Sequence, residues 1–213
     1  MNFTDFKSKI SKVTNMELPG EEIHYKMVPF KRIEALKKVV LQNNKPRKAG
    51  VLVLFYPNKN NETTFVLILR KAYKGVHSAQ ISFPGGKLEE ADASLEYTAL
   101  RETEEEVGVL SSSVKVIKKL THVYIPPSNF HVQPFLGLVD TTPKFIPQLN
   151  EVESIIEVPL KHFLSNDVLI KETVSASYAS KIEVPAFLLN NHIVWGATAM
   201  MLNEVRHIIQ DVL

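Results

Sequence analysis

The chain of 213 residues contains no cysteine, which excludes a disulfide framework, a thiolate nucleophile and any Cys-ligated zinc or iron–sulfur centre. It has little net charge: 25 Lys plus Arg against 23 Asp plus Glu leave a formal +2. A dedicated nucleic-acid binder usually carries a strong basic excess, so that class is disfavoured. Long apolar runs are missing too. The uncharged stretch from Val184 to Asn203 holds Asn190, Asn191 and His192 in its middle, which is too polar for a membrane span. Met1-Asn2-Phe3-Thr4-Asp5-Phe6-Lys7 has no continuous apolar core, so no secretory leader is expected. No repeat and no low-complexity tract is present. These absences predict a soluble, cytoplasmic protein whose partner is a small molecule rather than nucleic acid or a membrane; a homodimer is left open.

What is present fits a globular domain. Hydrophobic residues make up 45% and charged residues 23%, near the average for soluble domains. A chain of this length buries about 70% of its unfolded surface, enough for one substantial core. Phe3, Phe6, Ile10 and Val13 recur at helical spacing until Pro19-Gly20 breaks the pattern. A second helix is expected from near Pro29, with Ile33, Leu36 and Val40 on one face. The basic run Lys45-Pro46-Arg47-Lys48 reads as a solvated linker. It separates an N-terminal helical extension, 1–45, packed on the domain, from the domain itself, 46–213.

Gly50–Tyr56 and Thr64–Leu69 are β-rich runs joined by turn residues, which predicts a hairpin. Gln80–Phe83 forms a further short run. More strands are expected around Val114–Tyr124, Val132–Val139, Glu151–Val158, Val168–Val174 and Ile182–Trp195. A last helix from about Ala197 to Val212 places Met201, Val205, Ile208 and Val212 on one stripe, and its methionines read as core. Strands with segregated helices give the α/β class, as a sandwich in one unit.

The chemistry concentrates after Gly85-Gly86. Asp92 is a plausible N-cap for a helix burying Leu95, Ala99 and Leu100, and Gly108 is a suitable stop. Glu102, Glu105 and Glu106 then stand at i, i+3 and i+4 in the last turns. Like charges at those spacings cost about 0.2–0.5 kcal/mol per pair. Acids at a helix C-terminus also oppose the macrodipole by roughly 0.3–1 kcal/mol each. Oxygen-rich clusters of this kind suit hard cations such as Mg²⁺ or Mn²⁺. The preceding glycines provide a turn in which a backbone carbonyl approaches a metal unhindered.

This segment resembles the Nudix box, G-x5-E-x7-R-E-U-x-E-E-x-G-U, where U is a bulky apolar residue. Arg101-Glu102-Thr103-Glu104-Glu105-Glu106-Val107-Gly108-Val109 follows its second half, with Thr103 at an apolar position. Counted from Gly86, the early acid falls on Asp92, and eight residues rather than seven separate it from Arg101. Glu89 and Glu90 are therefore rivals to Asp92. The resemblance implies a Nudix-type α/β/α sandwich with a mixed sheet and a metal-binding loop-helix-loop. It implies Glu105 and Glu106 as ligands of Mg²⁺ or Mn²⁺, with a carbonyl of Gly86 or Gly85. Glu102 would be a further ligand or the base acting on the attacking water, and Arg101 would orient Glu105. Glu104 would point away into solvent. The implied reaction is hydrolysis of a phosphoanhydride in a nucleoside diphosphate derivative.

A second resemblance concerns the substrate. The run from Leu67 to Gly86 looks like the signature of the coenzyme A pyrophosphatase branch, L-L-T-x-R-[SA]-x3-R-x3-G-x3-F-P-G-G. Arg70, Phe83, Pro84, Gly85 and Gly86 align, while Lys71, Gly75 and Ala79 depart from it. Tyr124-Ile125-Pro126-Pro127-Ser128-Asn129-Phe130 and Trp195-Gly196-Ala197-Thr198-Ala199 also look like this branch. The implied reaction splits CoA or acyl-CoA into 4′-phosphopantetheine and adenosine 3′,5′-bisphosphate. ADP-ribose, NADH and dinucleoside polyphosphates are the alternative substrates, and a non-catalytic sensing module the alternative role. Arg70, Lys71, Lys74 and His77 are candidates to bind substrate phosphates. Tyr124 and Phe130, beside strands, read as core ahead of a ligand pocket, and Glu151 and Glu153 as strand-surface charge.

Overall fold

Alternation along one strand sets the architecture. In β1 (Arg47–Pro57), Ala49, Val51, Val53 and Phe55 belong to one buried cluster and Leu52, Leu54 and Tyr56 to another. A strand apolar on both sides needs a layer over each face of its sheet. The computed structural model, which describes residues 1–29, 33–34, 45–72, 80–176 and 179–213, supplies both layers.

β1 lies at the centre of an eight-stranded mixed sheet. It pairs antiparallel with β2 (Thr63–Arg70), through Phe55 opposite Phe65, which is the expected hairpin. On its other side it runs parallel to β7 (Phe130–Leu138). β2 pairs with β3 (Ile81–Ser82) and β8 (Val152–Pro159). β7 pairs with β5 (Lys115–Lys119) and β6 (Val123–Ile125), so the single strand expected over Val114–Tyr124 is two. β4 (Gly85–Lys87) was hidden by its glycines, which have low strand propensity. It pairs with β1, Gly85 opposite Val51 and Gly86 opposite Gly50. β1 also begins earlier than the basic run suggested. Arg47 is a strand residue whose Nη2 donates to the Ser128 carbonyl at 2.7 Å, with its guanidinium 4.1 Å above the Phe130 ring.

A second antiparallel sheet comprises β9 (Leu169–Ala176), β10 (Ala179–Leu189) and β11 (His192–Val194). Asn190 and Asn191, both at positive φ (48° and 65°), turn the chain between β10 and β11. The one strand expected over Ile182–Trp195 is therefore a hairpin.

The α-helices that build the layers are α1 (Phe3–Ile10), α2 (Glu21–Tyr25), α3 (Leu95–Val107), α4 (Leu160–Leu164) and α5 (Gly196–Val212). α3 sets Ala99 and Val107 on the Leu52, Leu54 and Tyr56 face. α1 and α5 cover the opposite face with Phe3, Phe6, Leu202, Val205, Ile208 and Ile209. The result is an α/β/α sandwich. The helix expected from Pro29 falls largely outside the described residues. No helix among the described residues is long and apolar enough to cross a membrane.

Candidate active site

Local chemistry at the start of α3 departs from expectation. Ser94, not Asp92, caps the helix, accepting from the Tyr97 amide at 3.1 Å. Asp92 has another task. Its Oδ1 and Oδ2 accept from Arg101 Nε and Nη2 at 2.9 and 3.0 Å, a bidentate pair. Asp92 also receives the Thr98 hydroxyl and the Glu89 amide. Its side chain is 1% exposed, and the Arg101 guanidinium holds the carboxyl well below the usual carboxylate range. Glu89 and Glu90 lie exposed. Asp92 is thus the acid facing Arg101 despite the extra residue between them.

Arg101 distributes the rest of its fork over the acidic turn. Nη1 donates to Glu105 Oε2 at 2.9 Å and Nη2 to Glu102 Oε1 at 3.0 Å. Thr103 is tolerated at an apolar position because its hydroxyl donates to the Ala99 carbonyl at 2.6 Å. Glu104 is exposed but not merely solvated, since its Oε2 accepts from the Ser111 amide and hydroxyl. The helix ends at Gly108, φ 76°.

The three acids share one end of α3 but differ in setting. Glu106 is 2% exposed. Its Oε2 accepts from the Gly85 amide at 2.8 Å and its Oε1 from Arg70 Nη1 at 2.9 Å. Burial pushes its carboxyl up to about 7, against the opposing pull of Arg70 and the Gly85 N–H. Glu102 lies over Gly86, where an added Cβ would meet its carboxyl carbon at 2.3 Å, so a side chain there would displace the Glu102 carboxyl. Burial also raises the Glu102 carboxyl; Arg101 opposes the shift, while Glu105 and Glu151 add to it. Glu105 is the outer member, with its side chain 54% exposed.

Glu151, read from sequence as surface charge, belongs to this neighbourhood. It lies 3.8 Å from Arg70 Nη2 and acts electrostatically on both Glu102 and Glu106. Arg70 therefore stands between Glu106 and Glu151. Lys71 uses its backbone amide on the Glu151 carbonyl at 2.8 Å and does not line the adjoining cavity. Lys74 and His77 lie outside the described residues.

That cavity, of about 480 Å³, opens beside Gly85, Gly86 and Arg70. Its walls bring together segments far apart in sequence: Phe83 with Gly85 to Lys87, Tyr124 to Pro127 with Phe130, and Trp195 to Thr198. Tyr124 and Phe130 are thus cavity residues, and Met200 and Met201 are both buried and part of the lining. Strand-adjacent aromatics carry no local mark that separates core from pocket, so the sequence pattern did not disclose this.

The donor chemistry fits a hard divalent cation. A buried carboxyl with a raised pKa beside a second raised carboxyl gains from a nearby positive charge, and the donors offered are all oxygens. Among the described residues, no three acidic or histidine side chains are already gathered as a metal cage. Glu105 and Glu106 rest instead on Arg101 and Arg70.

Comparison with known proteins agrees with the geometry. Residues 46–176 match the family model described as NUDIX domain. A protein of Yersinia pestis (strain Pestoides F), called uncharacterized Nudix hydrolase NudL, is 35% identical over 168 residues, 78% of this chain and 80% of that one. The protein of that name from Yersinia pseudotuberculosis serotype O:1b matches equally, at 35%. Among solved structures, the M. smegmatis Nudix hydrolase RenU is similar in fold, with a TM-score of 0.53, 14% identity and coverage of 79% of this chain and 88% of that chain.

Proposed function

Because this chain belongs to the Nudix family, enzymes that hydrolyse nucleoside diphosphate derivatives and generally use divalent metal ions such as Mg²⁺ or Mn²⁺, we propose that its substrate is coenzyme A or an acyl-CoA. The products are 4′-phosphopantetheine and adenosine 3′,5′-bisphosphate. The observation that carries this reading is convergence. The segments around Arg70 and Phe83 to Gly86, Tyr124 to Phe130, and Trp195 to Thr198, which resemble the coenzyme A pyrophosphatase branch, line one cavity beside the acidic turn.

In this reading Glu105 and Glu106, with a carbonyl of Gly85 or Gly86, hold the metal ion. When bound, such an ion polarises the phosphoryl oxygens, stabilises the leaving phosphate and acidifies water. Glu102, its carboxyl raised and lying over Gly86, receives the proton of the attacking water. Arg101, itself fixed by Asp92, holds Glu102 and Glu105 in place. Arg70, in the cavity lining, is the cation for the diphosphate and balances Glu106 and Glu151.

The test is a product assay. Purified protein is incubated with CoA, acetyl-CoA, ADP-ribose, NADH and diadenosine polyphosphates, each with Mg²⁺, with Mn²⁺ and with EDTA, and the products are weighed by mass spectrometry. Metal-dependent release of 4′-phosphopantetheine, fastest from the CoA compounds, is expected. Faster cleavage of ADP-ribose or NADH overturns the CoA assignment and keeps the Nudix chemistry.

A further inference from the structure

The cavity is chemically divided. Among the described residues that line it, Arg70 and Lys87 carry the charge, and both stand at the Gly85-Gly86 end. The rest of the lining is largely apolar and includes Met27, Val28, Val184, Trp195, Met200 and Met201. Two cations beside the acidic turn suit the diphosphate of the substrate. Thioethers, an indole and aliphatic groups instead make a soft, adaptable lining for an uncharged chain.

The origin of those walls is a second observation. The matched family region ends at residue 176 and begins at 46. Met27 and Val28 precede it, and Val184, Trp195, Met200 and Met201 follow it. The residues beside the acidic turn, Arg70 and Gly85 to Lys87, lie inside the matched region, whereas these six apolar residues lie in the segments that flank it on both sides.

We infer that this apolar lining is the specificity site for the uncharged arm of the substrate, and that the room it encloses sets the longest hydrocarbon chain accepted. The inference deepens the CoA reading and rests on it for the identity of the arm, pantetheine with its acyl group. The adenosine bisphosphate half then lies on the other side of the cleaved bond, outside this cavity. Met27 and Val28 give the N-terminal segment a direct part in substrate choice.

The experiment uses Trp195, the single tryptophan of the chain, as a built-in reporter. S-alkyl pantetheines of increasing alkyl length, which lack the diphosphate, are titrated into the full-length protein while its emission is recorded. A saturable shift to shorter wavelength is expected, with affinity rising about fourfold per buried methylene until the cavity is full. Ala197→Phe, which adds a ring to the lining, then shortens the accepted chain. In hydrolysis of acyl-CoA esters it lowers the ratio of kcat/KM for dodecanoyl over acetyl substrate at least tenfold.

No emission change at any alkyl length, or an equal fall for both esters in the variant, overturns the inference. The outcome also separates the two readings. Alkyl pantetheines that bind with length dependence, while no CoA compound is cleaved, support the arm site and sink the CoA hydrolase. Cleavage of CoA esters at a rate indifferent to chain length keeps the hydrolase and sinks the arm site.

Discussion

Glu106 concentrates the electrostatic cost of the site in one side chain. It is buried, bonded to the Gly85 amide and to Arg70, and its carboxyl is raised to about 7. Glu106→Gln keeps an oxygen for the Gly85 amide and removes the charge. Turnover is expected to fall by about 10²–10³-fold, the scale of a single well-placed electrostatic group. The fold should survive, because the variant no longer buries a carboxylate; steady-state kinetics beside a thermal melt checks both, and unchanged turnover removes Glu106 from the metal site. Asp92 acts one step further out, through Arg101. Asp92→Asn is expected to lower activity about 10–100-fold, as loss of outer support commonly does. It should also change the acid limb of stability. The folded carboxyl titrates below its unfolded value near 3.9, so its contribution is complete above that value and is lost as pH falls through the folded pKa. The advantage of the natural protein over Asp92→Asn, read as a denaturant midpoint, is therefore full at neutral pH and shrinks below about pH 4. The acids at the helix end were legible in the sequence because they oppose the macrodipole, which a stability-driven pattern avoids. Glu151 was not, because its approach to Arg70, 81 residues earlier in the chain, depends on the pairing of β2 with β8.

At the scale of elements, the site depends on how closely α3 lies on β1. The β-rich run Gly50–Tyr56 and the apolar spacing of Leu95, Ala99 and Leu100 made both elements readable, together with the β1–β2 hairpin. The distance between them was not readable, since it is set by one missing side chain. A Cβ on Gly50 would lie 2.2 Å from the Leu95 carbonyl oxygen and 3.1 Å from the Ala99 nitrogen. Those are backbone atoms of the helix and cannot swing aside. Gly50→Ala must therefore push the start of α3 off the sheet, moving Glu102 and Glu106 relative to Gly85-Gly86. Overpacking of this kind costs about 1–3 kcal/mol, and activity should fall further than stability because the acidic turn loses its register with β4. Chemical denaturation and kinetics on the same preparation test this. A variant as stable and as active as the natural protein would mean that α3 approaches β1 less closely than the backbone indicates. β4 escaped the sequence reading for a related reason: Gly85 and Gly86 look like a turn, and only their pairing with Val51 and Gly50 makes them a strand.

Over the whole molecule, the N-terminal segment and the C-terminal helix close the same core. Phe6 is fully buried with its ring centroid 5.0 Å from that of Phe55 in β1 and 6.3 Å from that of Phe3. The Thr63 amide donates to the Met1 carbonyl at 2.9 Å, and Asn2 bridges to Glu62 beside β2. α2 is tied to α5 twice, by buried His24 Nε2 at 3.1 Å from Glu204 Oε2 and by Asn203 Nδ2 donating to the Ile23 carbonyl at 2.7 Å. The helical spacing of Phe3, Phe6, Ile10 and Val13 disclosed an apolar face, but its partner is non-local and no pattern in residues 1–29 names it. Two arrangements make different predictions for Phe6→Ala. If the segment were a detachable extension, the variant would release it and leave the melting of the sandwich unchanged. Because Phe6 packs on the central strand, the variant should destabilise the chain as a unit by about 3–5 kcal/mol, the usual cost of emptying a phenylalanine site. In a chain of this size that lowers Tm by roughly 10 °C in a single transition. Differential scanning calorimetry decides between them: one displaced peak places the segment inside the cooperative fold, whereas an unmoved peak makes it an appendage and leaves Met27 and Val28 too loosely held to shape the cavity.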